Sequence, residues 1–95
     1  MIRINDDWVV DVDQYNYILK KDMHRTVKAK KKGEQDVPLY VTKGYFSSLR
    51  KALDRLGEEI IMDRLRGPEM SLREATQAIR ECTEEWRRLC EEVMT

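Results

Sequence analysis

The chain carries one imidazole, His24, and two thiols, Cys82 and Cys90. A lone histidine works as a general base when a carboxylate orients it, and Asp22 is the nearest in sequence. Lys20, Lys21, Arg25 and Lys28 surround it and would disfavour its protonated form. The cysteines are eight positions apart, which on a helix separates them by about 12 Å along the axis. A disulfide needs Cα atoms within roughly 7 Å, so the two do not bridge inside one chain. Their spacing matches no zinc motif, and they read as small apolar packing residues. There is no Gly-rich phosphate loop, no Gly-x-Ser-x-Gly elbow and no pair of metal-binding histidines. Neither a cofactor nor a metal is expected, and catalysis is not.

Charge offers more. Lys20, Lys21, Arg25, Lys28, Lys30, Lys31 and Lys32 fall in a span where only Asp22 opposes them. Cations on a connection between strands can grip phosphates, so Arg25, Lys28, Lys30, Lys31, Lys32 and Lys43 are candidates for contacting a partner or a phosphate group. Tyr15 and Tyr40 are candidates for stacking on a base. Tyr17, Tyr45 and Phe46 are also near, but Tyr17 and Phe46 sit at strand alternation and are expected in the core. A second candidate surface is the last helix around Arg80, Glu84, Arg87 and Arg88. Its charges also suit a solvated face with i,i+4 pairs.

Positioning these residues requires a fold, and the patterning indicates one. With 95 residues, 41% hydrophobic and 38% charged, the chain has material for one domain and one modest core. Lys and Arg together number 18, as do Asp and Glu, which disfavours both a basic nucleic-acid coat and an acidic mimic of DNA. No apolar run approaches the roughly 18 residues that span a bilayer, and the N-terminus has no signal-peptide pattern. The reduced cysteines suit the cytoplasm.

Trp8, Val10 and Val12 alternate with Val9, Asp11 and Asp13, and Tyr15, Tyr17 and Leu19 alternate with Asn16, Ile18 and Lys20 after a turn near Asp13. A basic loop over 20–36 is expected next, with Gly33 as its turn residue, followed by a strand from Val37 to Lys43. Pro38 belongs at a strand start or edge. Ile2 and Ile4 are candidates for a short edge segment. Helix one is expected over 47–66, capped by Ser47 or Ser48, with Leu49, Leu53, Leu56 and Ile60 on one stripe. Gly57 interrupts that stripe and requires a compensating close approach, the sheet being the nearest candidate. Arg66-Gly67-Pro68 ends the helix, and Ser71 to Glu74 has the form of a capping box for helix two over 71–94. Leu72, Ala75, Ile79, Cys82, Trp86, Leu89 and Val93 alternate three and four apart, a heptad seam facing helix one or a second copy. The expected fold is α+β: a three-stranded antiparallel sheet, then a two-helix antiparallel hairpin packed on one face, residues 1–46 and 47–95 forming a single domain.

The run Gly44-Tyr45-Phe46-Ser47-Ser48-Leu49, leading to Ala52-Leu53, resembles a group of small uncharacterised accessory proteins from phages and prophages of Gram-positive bacteria. Trp8-Val9-Val10-Asp11 and Asn16-Tyr17-Ile18-Leu19 match their first two strands, and the likeness extends from Trp8 onward. It brings no catalytic or ligand residues with it. It implies a protein in the bacterial host cytoplasm that acts by binding. The expected function is a stoichiometric, anti-CRISPR-like inhibitor of a bacterial defence system, which holds a host defence protein such as a nuclease effector and blocks its nucleic-acid path. Two alternatives stand beside it. One is a nucleotide or nucleic-acid binder using the basic loop, and the other is an assembly protein that dimerises through helix two. No membrane partner is expected, and the chain would act as a monomer or a homodimer.

Overall fold

In a computed structural model, residues 1–28, 33 and 35–94 are described, with side chains to residue 91. The elements are β1 (Ile2–Arg3), β2 (Trp8–Val12), β3 (Tyr17–Val27), β4 (Val37–Phe46), α1 (Leu49–Leu65) and α2 (Leu72–Met94). The four strands pair antiparallel in the order β1-β2-β3-β4. The sheet therefore has four strands instead of three, because Ile2 and Arg3 add a short edge opposite Val10 and Val9. Both tight connections are pinned by side-chain acceptors. Asn5 Oδ1 takes the N–H groups of Asp7 and Trp8, and Asp13 Oδ1 takes those of Tyr15 and Asn16.

Alternation decides which face each strand residue serves. Trp8, Val10 and Leu19 turn one way and join Ala52, Leu53, Leu56 and Cys90 in the core, with Tyr17 and Phe46 packed against it. Gly44 explains the Phe46 placement. A Cβ there would lie 2.6 Å from Phe46 Cζ, so the glycine leaves room for the ring to lie back over its own strand. With Phe46 turned inward, Tyr45 emerges on the opposite face, where its register partner is Ile18.

Ser48 caps α1 by accepting from Lys51 N–H at 3.2 Å. Ser71 Oγ accepts from Glu74 N–H at 3.1 Å and donates to the Glu74 carboxylate, so the two residues close on each other through the hydroxyl. The helices pack as an intramolecular hairpin on only part of the heptad seam: Cys82, Trp86 and Leu89 turn inward, and Leu72 and Ile79 do not. Ala78, Cys82 and Cys90 are buried, whereas Leu72 is 84% exposed and Ile79 38%. Ala78, Cys82, the partly buried Trp86 and Cys90 form a row at every fourth residue, and Leu89 packs on the core beside it. That row winds around a straight helix, while a heptad seam demands supercoiling along a partner of matching length. At 17 residues, α1 is too short to guide the 23 of α2. The Val93 position of the seam lies outside the described side chains.

The close approach at Gly57 also differs from expectation, because it is made by α2 and not by the sheet. A Cβ on Gly57 would lie 3.1 Å from Trp86 Nε1, and that nitrogen donates to Leu53 O at 2.7 Å. Trp86 thus lies flat against α1 and ties the two helices together. At the other end of the core, Lys21 donates to Asp63 at 2.8 Å and stands 5.6 Å from the centre of the Trp8 ring, joining sheet to helix.

Candidate functional site

The basic segment expected as a loop over 20–36 is strand as far as residue 27. β3 continues to Val27, and β4 begins at Val37. The reason is local pairing: Thr26 and Val27 find partners in Pro38 and Val37, and ladder bonds are retained where a loop would leave them to water. β2 covers β3 only as far as Lys21. Beyond it, Asp22 to Val27 run with β4 alone, a two-stranded arm about 20 Å long. The molecule is accordingly elongated. Its radius of gyration is 15.9 Å, against about 12 Å for a compact chain of this length.

Arg25 and Lys28 are exposed on this arm. Neither has a carboxylate partner among the described residues, and neither does Lys43. Lys30, Lys31 and Lys32 lie outside the described residues; the sequence places them between the two strands of the arm. Lys43 occupies a bulge, since Leu19 pairs with Gly44 and Lys20 with Thr42.

A larger irregularity sits at the root of the arm. Between the pairs Asp22–Tyr40 and Thr26–Pro38, three residues of β3 oppose one of β4, and His24 adopts φ 55. Left-handed backbone at a non-glycine residue is held here by a polar cluster. His24 Nε2 lies 2.7 Å from Asp7 Oδ1, and His24 N–H donates to Asp22 Oδ1 at 2.9 Å. Arg3 donates to the second oxygen of Asp22 at 3.1 Å and reaches Tyr40 Oη at 3.5 Å. The His24 backbone N–H, with Arg3, holds the Asp22 carboxyl below the usual range. The hydrogen bond to Asp7, reinforced by the charges of Asp22, Asp7 and Asp6, raises the His24 pKa. This reverses the expectation from sequence that neighbouring lysines would disfavour the imidazolium. Strand pairing turns the lysines away and brings in aspartates from the β1–β2 connection.

The sign of the consequence follows from linkage. A pKa raised on folding stabilises the protein fully below the unfolded value of about 6.5, and that contribution is lost as pH rises through the folded pKa. The His24 ring should titrate above 6.5 by NMR, with a denaturation midpoint that falls across the same interval. Asp7→Asn should bring the titration back towards the ordinary value. A His24 midpoint at or below 6.5 in the parent protein would contradict this arrangement.

The sheet face turned away from the helices is the other prominent surface. Across the ladder it carries Arg3, Val9, Lys20 and Thr42 in one row, Asp11, Ile18 and Tyr45 in the next, and Asp22 with Tyr40 towards the arm. Val9 and Ile18 are buried although no helix covers them among the described residues. Ion pairs lie over them instead: Lys20 with Asp11, and Arg3 with Asp22, both at 3.1 Å. The Lys20 ammonium donates to Asp11 and lowers its pKa. Of the two stacking candidates, Tyr40 is half-buried on this face, whereas Tyr15 stands 78% exposed in the β2–β3 turn. The structure adds Tyr45, 64% exposed. The sequence held a signal for it in Gly44-Tyr45-Phe46, because alternation must turn Tyr45 outward once Phe46 is inward.

The α2 candidates are separate from this surface. Arg80 lines an open hollow with Arg64, Leu72, Arg73 and Glu81, where Arg64 pairs with Glu81 at 2.8 Å. Arg87 lies 3.8 Å from Glu84, and Arg88 borders hollows on either side of Leu89. These four residues are spread along the helix and do not converge on one point. Burial pushes both cysteine thiols up, so they are protonated packing groups. Among the described residues, no group of three or more His, Cys, Asp or Glu is arranged to hold a metal ion. No described helix is long and apolar enough to cross a membrane. Comparison with family models, with curated proteins and with solved structures finds no match for the chain.

Proposed function

We propose that this chain is a non-catalytic binding protein whose working part is the β3–β4 arm and whose partner is nucleic acid, held by its phosphates. The observation that carries this reading is the projecting two-stranded arm. Arg25 and Lys28 on it have no carboxylate partner among the described residues, and the sequence continues into Lys30, Lys31 and Lys32. Elsewhere on the sheet, Arg3, Lys20 and Lys21 each face an aspartate. Exposed cations on a projecting two-stranded ribbon suit an anionic surface. The same sign of charge argues against inserting the arm into the positively charged channel of a nuclease effector.

The test is equilibrium binding of a fluorescent mixed-sequence oligonucleotide at two salt concentrations. If the five arm cations each displace a counterion, affinity falls about 100-fold between 50 and 200 mM salt. Absence of binding at 50 mM salt overturns the reading.

A second reading, the inhibitor of a host defence effector, rests on a different observation. Leu72 and Ile79 are exposed on one line of α2, beside the hollow that Arg80 borders. An apolar strip rimmed by both charge signs fits a protein partner. On this reading, expressing the protein in a CRISPR-bearing host restores plating of a targeted phage, and Leu72→Asp with Ile79→Asp abolishes that protection. No restored plating with the parent protein removes it.

A further inference from the structure

Deepening the nucleic-acid reading, on which it rests, we infer that the open sheet face binds single-stranded nucleic acid along β4, with bases stacked on Tyr45 and Tyr40. Both tyrosines belong to the same strand and the same face, opposite Ile18 and Asp22. Tyr45 is mostly exposed and Tyr40 is half-buried with Arg3 at its hydroxyl. A tyrosine ring gives a base a π-face without selecting its identity, which is how sequence-tolerant single-strand sites are built. Four-stranded sheets with one open aromatic face are used for this purpose.

Charge complementarity selects the occupant. The two carboxylates that the ladder places on the face, Asp11 and Asp22, are already paired with Lys20 and Arg3, which offsets their repulsion of a phosphate. Lys43 lies in the bulge between the two tyrosines with no carboxylate partner among the described residues, and Arg25 and Lys28 continue the cationic track onto the arm. The strand geometry adds a second constraint. The tyrosines are separated by roughly 13–16 Å along β4. That is several times the ~3.4 Å rise of stacked nucleotides. Two rings so spaced take bases from a strand whose stacking has opened, and a duplex keeps its base faces covered.

The experiment compares labelled oligothymidylate, oligouridylate and a mixed-sequence DNA duplex of equal length, by fluorescence anisotropy at low salt. Both single strands should bind at least about 10-fold more tightly than the duplex. Tyr45→Ala should weaken single-strand binding by about 5- to 150-fold, the range for loss of one aromatic–base stack. Tyr45→Phe keeps the ring and should stay close to the parent, and Tyr40→Ala should weaken binding in the same direction. Because Tyr45 is exposed, its replacement removes no core packing, and unchanged circular dichroism verifies that. Equal affinity for duplex and single strand, with Tyr45→Ala silent, overturns this site while leaving the arm as a phosphate-binding element. Failure of all three probes to bind overturns both.

Discussion

Trp86→Ala is expected to destabilise the protein by about 3–5 kcal/mol, read as a lowered denaturant midpoint with little change in slope. Two effects add. The ring lies flat on α1 over Gly57, where an added Cβ would lie only 3.1 Å from Nε1, and truncation leaves a cavity that neither helix can close. The indole N–H also donates to Leu53 O at 2.7 Å, a bond made in a partly buried setting. Total stability of a domain this size is about 5–15 kcal/mol, so the loss is a large fraction of it. Trp86→Phe separates the contributions, since it keeps aromatic packing but removes the donor. A loss below about 1 kcal/mol for Trp86→Ala would mean that the hairpin is held by its small residues, Ala78, Cys82 and Cys90, and not by the ring.

Replacing Arg25, Lys28, Lys30, Lys31 and Lys32 with glutamine should remove most nucleic-acid affinity and flatten its salt dependence. For single strands each lost phosphate contact lowers the slope of log affinity against log salt by about 0.7, so five together lower it by about 3.5. Stability should hardly move, because Arg25 and Lys28 are exposed and form no ion pair among the described residues. The control is Arg64→Gln on α1 with Arg80→Gln on α2, which removes as much charge per site from a surface the reading does not use. If that pair weakens binding as strongly as the arm substitutions, the effect is net charge and the arm has no special part. An unchanged slope after the five arm substitutions excludes phosphate binding there.

The two halves of the candidate surface differ in how they relate to the linear pattern. The lysines announce themselves as a run, and Tyr40 follows from proximity to them. The cluster of Arg3, Asp7, Asp22 and His24 does not, because its members are dispersed along the chain and meet only when β1 lies beside β2 and the β3 bulge turns His24 towards Asp7. For that reason the direction of the His24 pKa came out opposite to what its sequence neighbours imply. The outward turn of Tyr45 follows from Gly44, whose missing side chain settles which way Phe46 turns.

Alternation and caps are nearest-neighbour effects, and for that reason the chain alone specified the sheet-then-helices order, the inward face of β2 and the start of α2 at Ser71. Three features depended on partners distant in sequence. Pairing of Thr26 and Val27 with Pro38 and Val37 turned a loop into an arm. Packing against a shorter α1 rotated the buried row of α2 away from Leu72 and Ile79. The approach of Trp86, not the sheet, answered the question posed by Gly57. Periodicity says that a residue has a buried side; only the shape of the neighbouring element says which neighbour covers it, and where that cover ends.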